Sequence, residues 1–282
     1  MTVSRPGSAR PRTDTNEQHD ALPPTDAELA AIETDRIEWA RFQGATVEHA
    51  PELGGLLVSH SALGSSLNYV AALRWNQTDV EARLAAVIKE MSDRGIWPSV
   101  VVCDGLTMPA DIAVRLEAAG WNPVFSDRNM WTRHPAVVPH LDPTLRVEAV
   151  TPESALEAVK LETEVFGLMP QEVGEQAELL ANSVADGTTR AFLLRLDGKV
   201  VASARLVPGR LVAGLHAIGV DEGQRRRGYG RMLTAIATRA GLATGHKLVW
   251  LSVIEANTPA VEMYRSLGYQ PTFGWTRWVA PA

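Results

Sequence analysis

Cysteine is all but absent: Cys103 is the only one in 282 residues. No intrachain disulfide can form, and nothing in the chain asks for an oxidising compartment, so a reducing cytoplasm is the expected location. Long apolar runs are missing as well. The longest, Leu248 to Ile254, falls far below the ~20 residues that span a bilayer, so no membrane partner is expected. Residues 1–24 lack the apolar stretch of a secretory signal, and their mixture of Pro, Ser, Thr and both charges predicts a disordered tail. A strong charge of one sign is also lacking. The 27 basic and 33 acidic side chains leave a net charge of −6, which repels a phosphate backbone and argues against nucleic acid as the main partner. H-E-x-x-H, C-x-x-C and G-x-S-x-G do not occur and the seven histidines are scattered, so no metal is expected.

What is present suits a globular protein of two units. The length exceeds one usual domain, and 45% apolar with 21% charged residues is ordinary for folded chains. Helical patterning begins near Asp26, and Val80, Leu84, Val87 and Met91 recur at helical spacing before Gly95. A β-branched strand, SVVVC, follows at 99–103, then a helix over about 109–119. His134 to Thr144 holds three prolines, as an interdomain linker would. This predicts one domain over 25–133 and a second over 145–282.

The second half restarts with a strand at Leu145, a Thr151-Pro152 helix opening and a helix to about Phe166. A further helix is expected over 171–185. Two strands around Asp197-Gly198 read as a hairpin, and another strand runs from Leu211 to Val220. From Tyr229 to Ala240, Met232, Leu233, Ile236 and Ala237 make one apolar stripe, the mark of a helix lying on a sheet. A strand at 247–254, a helix opened by Thr258-Pro259 and a strand at about 275–279 complete the half. GWNPVF at Gly120 and GYQPTF at Gly268 each follow a helix and precede Trp-Thr-Arg, which reads as an internal duplication.

Chemistry concentrates at VDEGQRRRGYGRM, from Val220, between a predicted strand and a predicted helix. A glycine-bearing turn into a helix offers unpaired N–H groups and the positive end of the helix dipole to a phosphate. Gly228 and Gly230 allow close approach, and Arg225, Arg226, Arg227 and Arg231 add charge. A P-loop would require Lys then Ser/Thr where Tyr229 and Gly230 stand. A dinucleotide fingerprint would require glycine in place of Leu233.

The remaining pattern, R-x-x-G-x-G over Arg225, Gly228 and Gly230, resembles the pyrophosphate loop of the GNAT superfamily of acyl-CoA-dependent N-acetyltransferases. Asn257, Ala260, Tyr264 and Leu267-Gly268-Tyr269 resemble the family's later motif, so the resemblance covers about residue 145 to the end. It implies an α/β fold: a mixed, mostly antiparallel splayed sheet flanked by helices. With the duplication, that fold is expected twice in tandem, in a layout similar to mycothiol synthase. The first half has no glycine between Asn68 and its helix, so a degenerate GNAT-like domain is expected there, with the whole working site in the second half.

The resemblance further implies acetyl-CoA as cosubstrate and a primary amine as acceptor, on a small molecule or alternatively on a protein, with transfer by direct attack. Main-chain groups at Ile218, Gly219 and Val220 would pair with pantetheine, and the loop through Tyr229 would hold pyrophosphate. Asn257 would steady the pantetheine arm, although Asn before Thr-Pro is equally a turn residue. Tyr264 would donate a proton to the departing thiolate. Many family members carry a Glu where this chain has Gly214; His216, on the same strand face, is the local candidate base, with Glu162, Glu164 and Glu255 as alternatives. Phe166, Met169, Phe273 and Trp275 are candidates for an acceptor wall. The rival reading is a noncatalytic acyl-CoA sensor.

Overall fold

The computed structural model describes residues 22–61, 66–138, 143–167 and 172–281. Most of the expected tail, His140 and Met169 therefore lie outside the described residues.

Helix α1 (Asp26–Glu38) starts at a capping box in which Thr25 and Glu28 satisfy each other's backbone donors, and it runs into a tight turn, Trp39–Gln43. Strands β1 (Thr46–Ala50), β2 (Gly55–Ser59) and β3 (Tyr69–Ala71) follow, then α2 (Val80–Asp93), β4 (Ser99–Cys103), α3 (Ile112–Ala118) and β5 (Asn122–Thr132). The second half contributes β6 (Leu145–Ala149), α4 (Ala155–Phe166), α5 (Val173–Ala185), β7 (Arg190–Leu196), β8 (Lys199–Pro208), β9 (Ala213–Val220), α6 (Tyr229–Ala243), β10 (Val249–Ile254), α7 (Thr258–Ser266) and β11 (Gln270–Val279). The sequence pattern gives no sign of β1 to β3, which are three to five residues long with no clean alternation. The last strand begins at Gln270, earlier than its pattern suggests.

All strands join one 11-stranded sheet in the order β1-β2-β3-β4-β11-β5-β10-β9-β8-β7-β6. The final strands of the two halves cross over. β5 lies antiparallel to β10, with Asn129 opposite Ser252, while β11 lies antiparallel to β4, with Trp275 opposite Cys103. The two lent strands also pair with each other at the centre.

Apolar cores on the two faces hold this arrangement. Below the sheet, α6 and α7 bury Met232, Leu233, Ala237 and Tyr264 against Leu215, Leu251 and Met130. Above it, α1 buries Ile32 and Ile37 against Trp250, Trp131 and Trp275. Each large side chain so buried contributes about 1.5–3 kcal/mol, so α1, from the first half, is fastened to strands of the second. Arg133 at the end of β5 adds a 2.8 Å ion pair with Glu28, whose carboxyl it pulls down to about 2.

Candidate active site

β9 and β10 are parallel and pair at only three positions, ending at Leu215 opposite Leu251. Past that point they diverge. Ala217 adopts a left-handed φ of 48°, and the register with β8 slips between Ser203 and Arg205, the signature of a bulge that turns a strand aside. The divergence opens a cleft of about 1770 Å³. Ile218, Gly219 and Val220 line its edge, and the register partners of Gly219 and Val220 lie only on β8, at Ser203 and Ala202. Their other edge is a strand edge without a neighbour, suited to amide groups of an extended ligand.

The glycine loop closes one end. Arg226 and Gly228 take left-handed φ values of 69° and 84°, and Gly228 caps the 15-residue α6 without any side-chain acceptor for the first N–H groups. Those donors and the dipole face the cleft, as an anion site requires. A Cβ on Gly230 would meet Val220 Cγ2 at 3.4 Å, ordinary contact, so the fold tolerates a side chain there. Arg225 Nε donates to the Val220 carbonyl at 3.4 Å, and Arg231 is held by Ser266. Both line the cleft with Arg226. Arg227 is exposed and does not line it. Tyr229 lines the cleft yet is 8% exposed and belongs to the core beneath α6, so its backbone is the part available to a phosphate.

Tyr264 and Tyr269 sit side by side, ring centroids 6.0 Å apart, but in different polar states. The Tyr269 hydroxyl is satisfied by Thr238 at 2.8 Å. That of Tyr264 has no hydrogen-bond partner among the described residues, and Tyr264 lines the cleft. Burial raises its pKa, so the phenol stays protonated across the biological range. Asn257 caps α7, accepting from Ala260 N at 3.4 Å, and also lines the cleft.

His216 lies on the opposite wall, stacked on Trp39 at 4.1 Å and edge-on to Trp250. Burial, assisted by the charges of Arg36 and Arg205, pushes its pKa down to about 3. A ring so firmly neutral is a weak proton acceptor near pH 7. The same ring accounts for Gly214: a Cβ there would sit 2.5 Å from His216 Nε2, so no glutamate fits beside it. Glu162 is buried in a two-pronged pair with Arg205, one contact at 3.0 Å; burial raises its pKa despite that partner. Glu164 is exposed, and Glu255 is bound to Arg128. Phe166 and Trp275 line the cleft, whereas Phe273 is core.

This wall also holds residues that the sequence does not single out. Arg36 pairs with Asp127, donates to Asn129 Oδ1 at 2.9 Å and lies 4.4 Å over the Trp275 ring. Trp39, Tyr69 and Arg277 stand near it in the same cleft. The first half has the corresponding gap between β3 and β4, which share one register pair, Val70 with Val100. There the loop after β4 fills it: Met108 N donates to the Leu73 carbonyl at 3.1 Å and its own carbonyl accepts from Trp75 N at 3.1 Å. No three-residue metal-binding group occurs among the described residues.

Residues 157–269 match the model of the acetyltransferase (GNAT) family. A GCN5-related N-acetyltransferase from Kribbella flavida is similar over 88% of this chain and 95% of its own, at 20% identity and a TM-score of 0.65. A tandem GNAT protein from the clavulanic acid biosynthesis pathway is similar over 81% and 79%, at 15% identity and a TM-score of 0.63. A GCN5-related N-acetyltransferase from Sphaerobacter thermophilus gives 83%, 75%, 18% and 0.62. At such identities the likeness speaks for the fold, which is the GNAT fold. No curated protein matches the sequence.

Proposed function

From the match of residues 157–269 to the GNAT acetyltransferase family and from the cleft's geometry, we propose that this chain transfers an acetyl group from acetyl-CoA to the primary amine of a small molecule, by direct attack within a ternary complex. One observation supports this above all: β9 and β10 part between an uncapped helix N-terminus and an unpaired phenol, and their gap is open where that of β3 and β4 is filled by a loop. The loop at Arg225 to Arg231 holds the pyrophosphate through main-chain N–H groups and guanidinium charge. The edge at Ile218 to Val220 takes the pantetheine amides in place of a missing strand.

The thioester then lies near the parting point, with the α6–α7 face on one side and the Trp39–His216 wall on the other. The amine nitrogen attacks the thioester carbonyl; as the C–S bond breaks, the Tyr264 hydroxyl gives its proton to the sulfur. His216 serves as a neutral wall. The proton of the attacking amine leaves through water in the cleft, since Glu162 is already held through both oxygens by Arg205.

Thiol release from acetyl-CoA, followed across a panel of primary amines, tests the reading. At least one amine is expected to raise release far above the amine-free rate. In Gly230→Val, acetyl-CoA binding measured by calorimetry should weaken about tenfold or more, because the side chain intrudes where the anion approaches. Tight binding with no release for any amine would favour a sensor. Unchanged affinity in the variant would remove the loop from the site.

A further inference from the structure

The acceptor-side wall carries an unbalanced charge. Its charged side chains are Arg36, Asp127, Glu162, Arg205 and Arg277. Arg205 is held by Glu162 and Arg36 by Asp127. Arg277 has no ion pair among the described residues: its Nη1 donates to the Ser66 carbonyl at 3.1 Å, and its buried Nε has no partner. Burial lowers its pKa, the mark of a cation short of solvent and of counter-charge.

Asp127 is the complementary case. The residue is 6% exposed, and Arg36 engages Oδ2, yet Oδ1 is buried without a hydrogen-bond partner. A buried carboxylate oxygen left unpaired is costly unless a ligand supplies the donor. Both residues come from the two lent strands at the sheet centre. Asp127 stands opposite Ile254 of β10 and opposite Trp275 of β11. Arg277 lies two residues further along β11 on the same face, ~7 Å on and toward the open end of the cleft. The Tyr69 and Trp275 rings, 6.1 Å apart, lie alongside.

Resting on the transferase reading above, we propose that the acceptor is an amino carboxylate whose amine is received by Asp127 Oδ1 and whose carboxylate is received by Arg277, with its carbon chain along the aromatic rings between them. The two ends sit on strands exchanged between the halves, so neither half alone has an acceptor site. A backbone offset of ~7 Å between the two positions, to which the long Arg277 side chain adds reach, favours a chain with several methylenes over an α-amino acid.

The test uses the full chain saturated with CoA and three probes of one length: δ-aminovalerate, pentylamine, which lacks the carboxylate, and valerate, which lacks the amine. Calorimetry should show δ-aminovalerate binding about tenfold or more tightly than either truncated probe. Arg277→Gln should abolish its advantage over pentylamine, and Asp127→Asn its advantage over valerate, with acetyl-CoA affinity kept in Arg277→Gln. Equal binding of pentylamine and δ-aminovalerate, or an advantage that survives Arg277→Gln, overturns the proposal. Because binding is read without turnover, the two readings fail separately. Bound δ-aminovalerate with no thiol release would sink transfer and leave the anchors standing; brisk release with pentylamine, at no gain from a carboxylate, would do the reverse.

Discussion

Tyr264 and Tyr269 are both buried, both on the α7 side of the sheet and both raised in pKa, but only Tyr269 has a partner for its hydroxyl, Thr238. Tyr264→Phe keeps the ring and removes a hydroxyl that bonds to nothing in the resting protein, so thermal stability should change little. Turnover should fall. General acid catalysis contributes about 10²–10⁴-fold, and a thiolate leaves fairly well, so a loss near the lower end is expected. Steady-state kinetics beside acetyl-CoA calorimetry checks this: wild-type turnover would make Tyr264 a core residue, and equal losses in both would indicate damaged packing. The placement of Tyr264 and Asn257 beside the cleft is legible in the sequence because both belong to one contiguous motif, whose spacing sets them on one helix and its cap. That of Arg36, Asp127 and Arg277 is not. Arg36 and Asp127 are 91 residues apart and meet only when β5 crosses to the other half.

At the scale of elements, α1 joins the halves, and two titrating groups flank its seat on Trp250. His216, in edge contact with Trp250, has its pKa pushed from 6.5 down to about 3 by burial. Asp35 on α1, beside Gly209, is pushed from 3.8 up to about 7, burial again being the main cause and Glu38 a lesser one. Their effects on stability oppose each other. Between about pH 3 and 6.5 the unfolded His216 holds a proton that the folded one lacks, so stability rises with pH. Between about 3.8 and 7 the folded Asp35 holds a proton that the unfolded one lacks, so stability falls with pH. Over pH 4 to 6.5 the two slopes nearly cancel. Asp35→Asn should leave the His216 slope exposed, adding about 1 kcal/mol of stability per pH unit upward across that window. His216→Gln should expose the opposite slope. Denaturant unfolding at several pH values measures both; parallel pH profiles for wild type and variants would show that neither group titrates far from its ordinary value. The helix α1 is legible from the helical patterning that begins near Asp26, whereas its seat is not, because Trp250 and His216 lie on strands whose apolar runs do not say which helix covers them.

At the scale of the whole molecule, the sequence suggests two units joined by a proline-rich linker, with acyl-CoA binding confined to the second. The repeated GWNPVF and GYQPTF corners mark the strands that cross, but nothing local reveals the crossing, since a strand's pattern fixes its faces and not its neighbour. The family match ends at residue 269, and β11 begins at Gln270, where the chain leaves its own half for a place beside β4. A fragment from residue 141 onward would therefore lack β5, baring the edge of β10 from Val249 to Ile254. It would also lack α1, uncovering Trp250, which the intact chain buries completely. Losing several contacts of about 1.5–3 kcal/mol each approaches the 5–15 kcal/mol that holds a typical domain folded. The fragment alone is expected to show no cooperative thermal transition and no acetyl-CoA binding. Co-expressed with residues 22–138 as a separate chain, it should form a one-to-one complex that regains both, because β5 and α1 are then supplied from outside. Size-exclusion chromatography with thermal unfolding and calorimetry decides the matter. A monomeric, cooperatively folding fragment that binds acetyl-CoA would show that the exchanged strands decorate the second half rather than complete it.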